Sequence, residues 1–171
     1  MHTCSQPPVS RAQPRWATSA RLAPLVGLLL LVVSAVPVRA ETLTFSAVIT
    51  SGQEPPPNTN ESPAFGVAFV TFNTDTGELC FSISYEEFNL TSVETNAHFH
   101  APAPPGENAP VLIPLPTPGS PKNGCVTPDL TEDQRRALFQ GLWYVNIHTA
   151  NNPGGEIRGQ VIPQVAPVFH P

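Results

Sequence analysis

The sequence predicts an all-β domain, either an antiparallel β-sandwich or a Greek-key-like barrel, with one short helix. Three observations support this class. Proline accounts for 22 of the 171 residues, and each proline removes a backbone donor that a long helix or a central strand would need. Several short segments alternate between apolar and polar residues, as strands do. A single segment carries the start signal of a helix.

Six segments of alternating residues predict strands, and the count of strands is expected to be six or seven. The clearest hairpin joins two of them through the turn residues 73–78, and its register places Cys80 on the face opposite the aromatic residues. Thr131 and Gln134 have the spacing of a capping box, so a short helix is expected to follow, with Leu138 inward and Gly141 at its end. The six strand segments are 42–49, 65–72, 79–86, 93–100, 142–149 and 156–162.

Two proline-rich segments separate these elements. Residues 53–63 are expected to form an exposed loop. Residues 101–121 contain eight prolines and are not expected to form a regular element, although a loop of this length is usually functional or disordered. The tail at 163–171 is also rich in proline and is expected to be flexible.

Residues 1–40 contain a basic region, an apolar region and a cleavage-site sequence in the order that is typical of a secretory signal peptide. Three arginines precede an apolar run at 22–36, and the small-x-small sequence at 38–40 is typical of a cleavage site. The apolar run is shorter than the roughly 20 residues that a membrane-spanning helix needs. We therefore expect a secreted or periplasmic protein with no stable membrane insertion after the signal is removed.

The charge and the cysteine content indicate which classes of binding partner and which cellular compartment to expect. Removal of residues 1–40 leaves four basic residues against thirteen acidic ones, a net charge of −9 with neutral histidines. An acidic surface attracts cations and repels anionic polymers, so no nucleic-acid partner is expected. Cys80 and Cys125 remain, and in an oxidising compartment they predict one disulfide bond. Two buried thiols are the alternative.

Histidines on two segments predict a metal site. His98 and His100 are two residues apart, so on a strand both side chains point to the same face, and His148 shares a face with Tyr144 and Asn146 on a later strand. If the two strands pair, the three imidazoles converge. Three histidines with an open position suit zinc or copper.

The fourth ligand and the alternative to a metal site both remain open at this stage. Glu156, or carbonyl groups of the turn at Gly154 and Gly155, could complete the coordination shell. The histidines could instead be hydrogen-bonding residues that tie loops to the sheet. Arg158 shares a strand face with Glu156, and the pair is expected to form a structural ion pair.

Five motifs resemble the CHRD domain, a domain first described in chordin and widespread in secreted bacterial proteins. They are SGQEPP at 51–56, AHFH at 97–100, GENAPV at 106–111, YVNIHT at 144–149 and NPGGEIRG at 152–159. The resemblance implies an extracellular β-sheet domain, which we place at 41–162. Within these motifs, Asn146, Gly154, Gly155 and Arg158 are expected to be structural.

Three functions follow as hypotheses. The first is a non-enzymatic secreted protein that binds a transition metal, with copper favoured over zinc, through His98, His100, His148 and either Glu156 or water. The second is an adhesion or matrix module that contacts an extracellular or envelope partner through residues 101–121. The third is a copper-dependent redox enzyme, since the histidine pattern is similar to the copper site of copper–zinc superoxide dismutases. No nucleophile elbow or dinucleotide fingerprint is present, and a non-enzymatic function is favoured.

Overall fold

The structure is a computed structural model and describes residues 41–116 and 118–164. These residues form an all-β fold with one short helix, as predicted. The predicted signal peptide and residues 165–171 of the predicted tail lie outside the described residues. The strands are β1 (Thr42–Thr50), β2 (Phe65–Asn73), β3 (Leu79–Tyr85), β4 (Glu94–His100), β5 (Val111–Pro114), β6 (Lys122–Val126), β7 (Trp143–Thr149) and β8 (Ile157–Pro163), and the helix is α1 (Glu132–Phe139).

All eight strands belong to one antiparallel sheet, in the order β5-β4-β7-β8-β1-β2-β3-β6. β3 and β4 are five positions apart in this order, yet the rings of Phe81 and Phe99 contact each other with centroids 6.0 Å apart. The sheet therefore curls into a half-barrel around a single core rather than forming two separate sheets.

Period-two alternation decides which side chains enter this core. In β3 the residues Leu79, Phe81 and Ile83 are buried, as the alternation predicts. In β2 the aromatic residues Phe65 and Phe69 are exposed on the solvent face, while the alternate residues Ala68, Val70 and Phe72 are buried. Apolar residues on the outer face of a sheet are common and do not by themselves indicate a function.

The predicted disulfide is present between Cys80 and Cys125. The two cysteines are directly opposite each other in the β3–β6 pair. Cys80 lies on the face opposite the buried residues of β3, as the hairpin register predicts. The bond joins edge strand β6 to the rest of the sheet.

The predicted helix is also present. The Thr131 hydroxyl accepts from the Gln134 backbone N–H, and the Gln134 side chain accepts from the Thr131 backbone N–H, so both halves of the capping box form. Gly141 has φ +72° just after the helix, a conformation that glycine adopts without strain. The helix buries Ala137 and Leu138 against the core. No helix among the described residues is long and apolar enough to cross a membrane.

Residues 101–121 contradict the expectation that no regular element forms there. Val111–Pro114 forms strand β5, which pairs only with β4 and is therefore an edge strand. A proline is tolerated on an edge because its missing N–H can face away from the sheet. Strand β6 was not predicted either, because Lys122–Val126 has no apolar alternation and is placed by its pairing with β3.

Residues 53–63 form a loop as predicted, but the loop is only partly exposed. Glu54, Pro55 and Ser62 are buried. Asparagine side chains hold the loop in place, because Asn58 donates to the Gly154 carbonyl and Asn60 donates to the carbonyl of Glu156. The loop therefore folds back on the turn between β7 and β8.

Candidate metal centre

The histidines converge because β4 and β7 pair in antiparallel register. His98 lies opposite Asn146, His100 opposite Tyr144, and His148 opposite Asn96. The alternate residues of both strands, which include Phe99 and Val145, point into the core. The polar residues therefore share the other face of the sheet, as the sequence predicts.

The three imidazoles are close enough to surround one ion. One potential ligand nitrogen from each of His98, His100 and His148 lies within 4.8 Å of the other two. The ring centroids are 5.1 to 6.1 Å apart. Since metal–nitrogen bonds are about 2.0–2.1 Å long, two nitrogens on one ion are roughly 3–3.5 Å apart. Small side-chain movements would reach this spacing. We refer to these three residues as the histidine cluster.

Two members of the histidine cluster are oriented by backbone carbonyls. The Nδ1–H of His100 donates to the carbonyl of Ala109 at 2.9 Å, and the Nδ1–H of His148 donates to the carbonyl of Pro153 at 3.0 Å. A carbonyl can only accept, so each neutral ring carries its proton on Nδ1 and has a lone pair on Nε2. Hydrogen bonds of this type commonly fix the orientation of metal-bound histidines.

Three other nitrogens of the cluster, one on each ring, lack hydrogen-bond partners. Within the described residues, Nδ1 of His98 and Nε2 of both His100 and His148 are buried and accept or donate no hydrogen bond. Buried polar atoms without partners are rare and require an explanation. The expectation that these histidines serve only to tie loops to the sheet explains the carbonyl contacts but leaves the three partnerless nitrogens without a role. A shared metal ion would satisfy all of them.

The environment keeps the cluster neutral. Burial lowers the pKa of His100 to about 4, against the opposing effect of its hydrogen bond to Ala109, and the charge of Arg158 acts in the same direction as burial. Burial also lowers the pKa of His98 and of His148. Only neutral imidazole binds a metal, so at neutral pH the cluster is in the protonation state that ligation requires.

Aromatic stacking supports one side of the cluster. The ring of Tyr144 is parallel to the ring of His100, with centroids 4.7 Å apart. The guanidinium carbon of Arg158 lies 3.4 Å from the centroid of the same tyrosine ring. The Tyr144 hydroxyl accepts from the backbone N–H of Ala109, whose carbonyl holds His100. Tyr144 therefore fixes both the ring and the loop that orient this ligand.

Glu156 lies outside the histidine cluster, contrary to its predicted role as a ligand. Its carboxylate is fully buried and accepts hydrogen bonds from four residues on three segments of the chain. We call the carboxylate and these four residues the Glu156 network. The donors are Ser62, Thr91, Thr149 and Asn152. Burial alone would raise the pKa of Glu156, but these hydrogen bonds lower it to about 2. The predicted ion pair with Arg158 does not form either, because the carboxylate is already surrounded by neutral donors.

The glycine carbonyls also do not complete the shell. The carbonyl of Gly154 accepts from Asn58, and that of Gly155 accepts weakly from Asn60 at 3.5 Å. Gly155 has φ +129°, and a Cβ at this position would lie 2.5 Å from an oxygen of Glu54. A glycine is required here because the chain conformation and the approach of the carboxylate both exclude a side chain.

Glu54 is the polar group that the sequence-based reasoning missed. It is 4 % exposed, and neither of its carboxylate oxygens has a hydrogen-bond partner among the described residues. Burial raises the pKa of Glu54 to about 7, against the opposing effects of Arg158 and of the nearby Asn146 side-chain amide. One feature of the sequence could have indicated a role for Glu54, namely its position in the motif at 51–56. The expectation that residues 53–63 form an exposed loop led away from this interpretation.

A second group of potential ligands is excluded by its chemistry. Glu78, Cys80 and Cys125 are close together, but both sulfurs belong to the disulfide bond. A metal needs the thiolate form of cysteine. The histidine cluster is therefore the candidate metal site within the described residues.

The fold and the site define an all-β domain whose curled antiparallel sheet carries three convergent histidines on its polar face. The CHRD domain family matches residues 45–161, which span nearly all of the described residues. The chain belongs to the CHRD domain family, as its motifs predict. No curated protein and no solved structure matches the chain at a significant level.

Proposed function

We propose that the chain is a secreted, non-enzymatic CHRD-domain protein that binds a transition-metal ion through the histidine cluster, with copper favoured over zinc. Two observations carry this proposal: each of the three histidines has a buried ring nitrogen without a hydrogen-bond partner, and potential ligand nitrogens of the three lie within 4.8 Å of one another. A set of three nitrogen donors is typical of copper and zinc sites.

The contacts of each imidazole ring indicate which of its two nitrogens would bind the metal. His100 and His148 are held by carbonyls and present Nε2, while His98 presents Nδ1 from the adjacent pleat of β4. Among divalent ions, Cu(II) binds a given nitrogen site more tightly than Zn(II). This order is the reason for favouring copper. Water would occupy any remaining coordination position.

Three further features support secretion and cation binding. The disulfide between Cys80 and Cys125 is typical of proteins from oxidising compartments. The signal-like sequence at 1–40 would direct the chain to such a compartment. The strongly acidic composition of the remaining chain would favour the approach of cations.

Isothermal titration of the chelator-treated protein with Cu(II) and with Zn(II) tests the proposal. One ion is expected to bind per chain, and Cu(II) is expected to bind more tightly. Substituting any one residue of the cluster, as in His98→Asn, should weaken Cu(II) binding by at least tenfold because a ligand is lost. Electron paramagnetic resonance of the copper-loaded protein should show coupling to nitrogen.

A matched control uses the same strand and the same face. Asn96 is exposed, lies two residues before His98 on β4 and is opposite His148 on β7. Asn96→Ala should leave the Cu(II) affinity unchanged. The proposal is wrong if neither metal binds, or if the His98→Asn protein binds Cu(II) as tightly as the unmodified protein does.

A further inference from the structure

A second polar site lies on the same side of the sheet as the histidine cluster. Glu54 and Arg158 line a cleft of about 300 Å³. The walls come from the turn that follows β1 and from the turn at Pro105 and Gly106. We call this feature the Glu54 cleft.

The two charged side chains of the cleft are buried but not paired with each other. Glu54 is 4 % exposed and Arg158 is 1 % exposed. Among the described residues, ion pairs within 4.0 Å are formed by Lys122 with Glu94 and by Arg136 with Asp133, and not by Glu54 with Arg158. Each charge therefore faces the cleft without a direct partner of opposite charge.

Hydrogen bonding does not compensate either charge. Neither oxygen of Glu54 has a partner. Arg158 donates to Asn108 and to Gln160 at 3.4 Å in both cases, which is beyond the usual range for N–H···O bonds. The guanidinium of Arg158 stacks on the ring of Tyr144, but neither charge has a partner of opposite charge. A buried charge that lacks such a partner is costly, so both groups would gain from a ligand of complementary charge.

None of the other groups that line the cleft donates a hydrogen bond to Glu54. The three prolines of the wall have no N–H, and the side-chain amide of Gln160 already donates to the carbonyls of Ala103 and Gly141. The Gln53 amide donates to the carbonyl of Val48. The side-chain amide of Asn146 lies near Glu54 and favours its ionised form, but no hydrogen bond of normal geometry joins the two. A donor from a bound ligand would therefore supply what the described residues do not.

We propose that the Glu54 cleft binds a small zwitterion of the amino-acid type, whose ammonium group donates to Glu54 and whose carboxylate accepts from Arg158. A zwitterion matches both charges at once and leaves the site neutral. A simple cation would be repelled by Arg158, and a simple anion would be repelled by Glu54. Charge-assisted hydrogen bonds of this kind are the strong ones.

The cleft can be tested independently of metal binding. The ring of Tyr144 lies between the guanidinium of Arg158 and the ring of His100, so the two sites do not share a ligand group. Titrations on chelator-treated protein report the cleft alone. A failure there would leave the metal proposal intact, and the reverse also holds.

Glycine is the probe, and ligand-observed saturation-transfer NMR on the metal-free protein is the measurement, because it detects millimolar binding. Glycine should bind. N-acetylglycine lacks the ammonium group and glycinamide lacks the carboxylate, so each should bind at least about tenfold more weakly. Equal binding of the three compounds, or no glycine signal at tens of millimolar, overturns the proposal.

Two variants assign the binding to the cleft. Glu54→Gln keeps the shape of the side chain and removes its charge, and should weaken glycine binding at least about tenfold. Glu107→Gln removes an exposed carboxylate from the neighbouring loop and should not change binding. Circular dichroism verifies that both variants fold. Unchanged glycine binding by a folded Glu54→Gln protein overturns the proposal.

Discussion

Glu156 is the last residue of the turn that joins β7 to β8, and Glu54 packs against Gly155 of the same turn. Both carboxylates are buried, yet their surroundings are opposite. Glu156 is fully buried and accepts hydrogen bonds from three hydroxyl groups, an amide side chain and a backbone N–H. Glu54 is almost as buried and accepts none among the described residues. Burial alone therefore does not separate the two groups.

The difference in hydrogen bonding is expressed in the two pKa values. Burial acts to raise the pKa of both carboxyls, yet that of Glu54 rises to about 7 and that of Glu156 falls to about 2. The donors around Glu156 compensate its charge within the fold, which is the behaviour of a structural group. Glu54 and one ring nitrogen of each histidine in the cluster are buried without a hydrogen-bond partner, and both binding proposals concern these groups.

The largest expected effect comes from the Glu156 network. Glu156→Gln replaces one carboxylate oxygen, which accepts hydrogen bonds, with an amide N–H₂ group, which can only donate. At least one buried donor that contacts this oxygen therefore loses its acceptor. We expect the free energy of unfolding at pH 7 to fall by about 3 kcal/mol, as measured by urea denaturation. Glu61→Gln changes an exposed carboxylate nearby and serves as the control. A loss below about 1 kcal/mol would show that the network does not hold the turn.

The same network predicts a pH dependence. The pKa of Glu156 is lowered from an ordinary value of 4.5 to about 2, so the folded state binds this proton more weakly than the unfolded state. The stabilisation is therefore complete above pH 4.5 and is lost as the pH falls towards 2. The stability difference between the unmodified protein and Glu156→Gln should shrink over this interval. A constant difference from pH 6 to pH 2 would contradict this assignment.

Glu54 should show the opposite pH dependence, with an effect on stability no larger than that of Glu156. Its pKa is raised from 4.5 to about 7, so ionisation destabilises the folded state progressively as the pH rises through this range. Glu54→Gln is expected to be more stable than the unmodified protein at pH 8, by up to about 3 kcal/mol, and equally stable at pH 4. Thermal denaturation without added ligand measures this. A variant that is less stable at pH 8 would indicate a partner for Glu54 within the fold.

The histidine cluster could be predicted because its position depends only on strand periodicity and one pairing. His98 and His100 alternate with Ala97 and Phe99, whose burial fixes the face of β4. His148 follows from the same rule on β7. The disulfide and the helix were equally accessible, since a cysteine pair and a capping box are local signals.

The two carboxylates could not be assigned from the sequence because their partners are distant in the chain. Glu156 is bonded by Ser62 and Thr91, which are 94 and 65 residues away. Glu54 is buried only because its proline-rich loop folds back, and proline content does not indicate in which direction a loop packs. Strand β6 was missed for the same reason, since its pairing with β3 rather than its own sequence places it.

The smallest effect is expected for a carboxylate in a third environment. Asp133 forms an ion pair with Arg136 at 3.1 Å, but the two side chains are 87 % and 57 % exposed. Water already solvates this charge, so pairing and the position in the first turn of α1 together contribute less than about 1 kcal/mol. Asp133→Asn should therefore change the urea midpoint only slightly, and the change should diminish in 1 M salt because exposed pairs are screened. An effect as large as that of Glu156→Gln would mean that burial and donor number do not set the role of carboxylates in this fold.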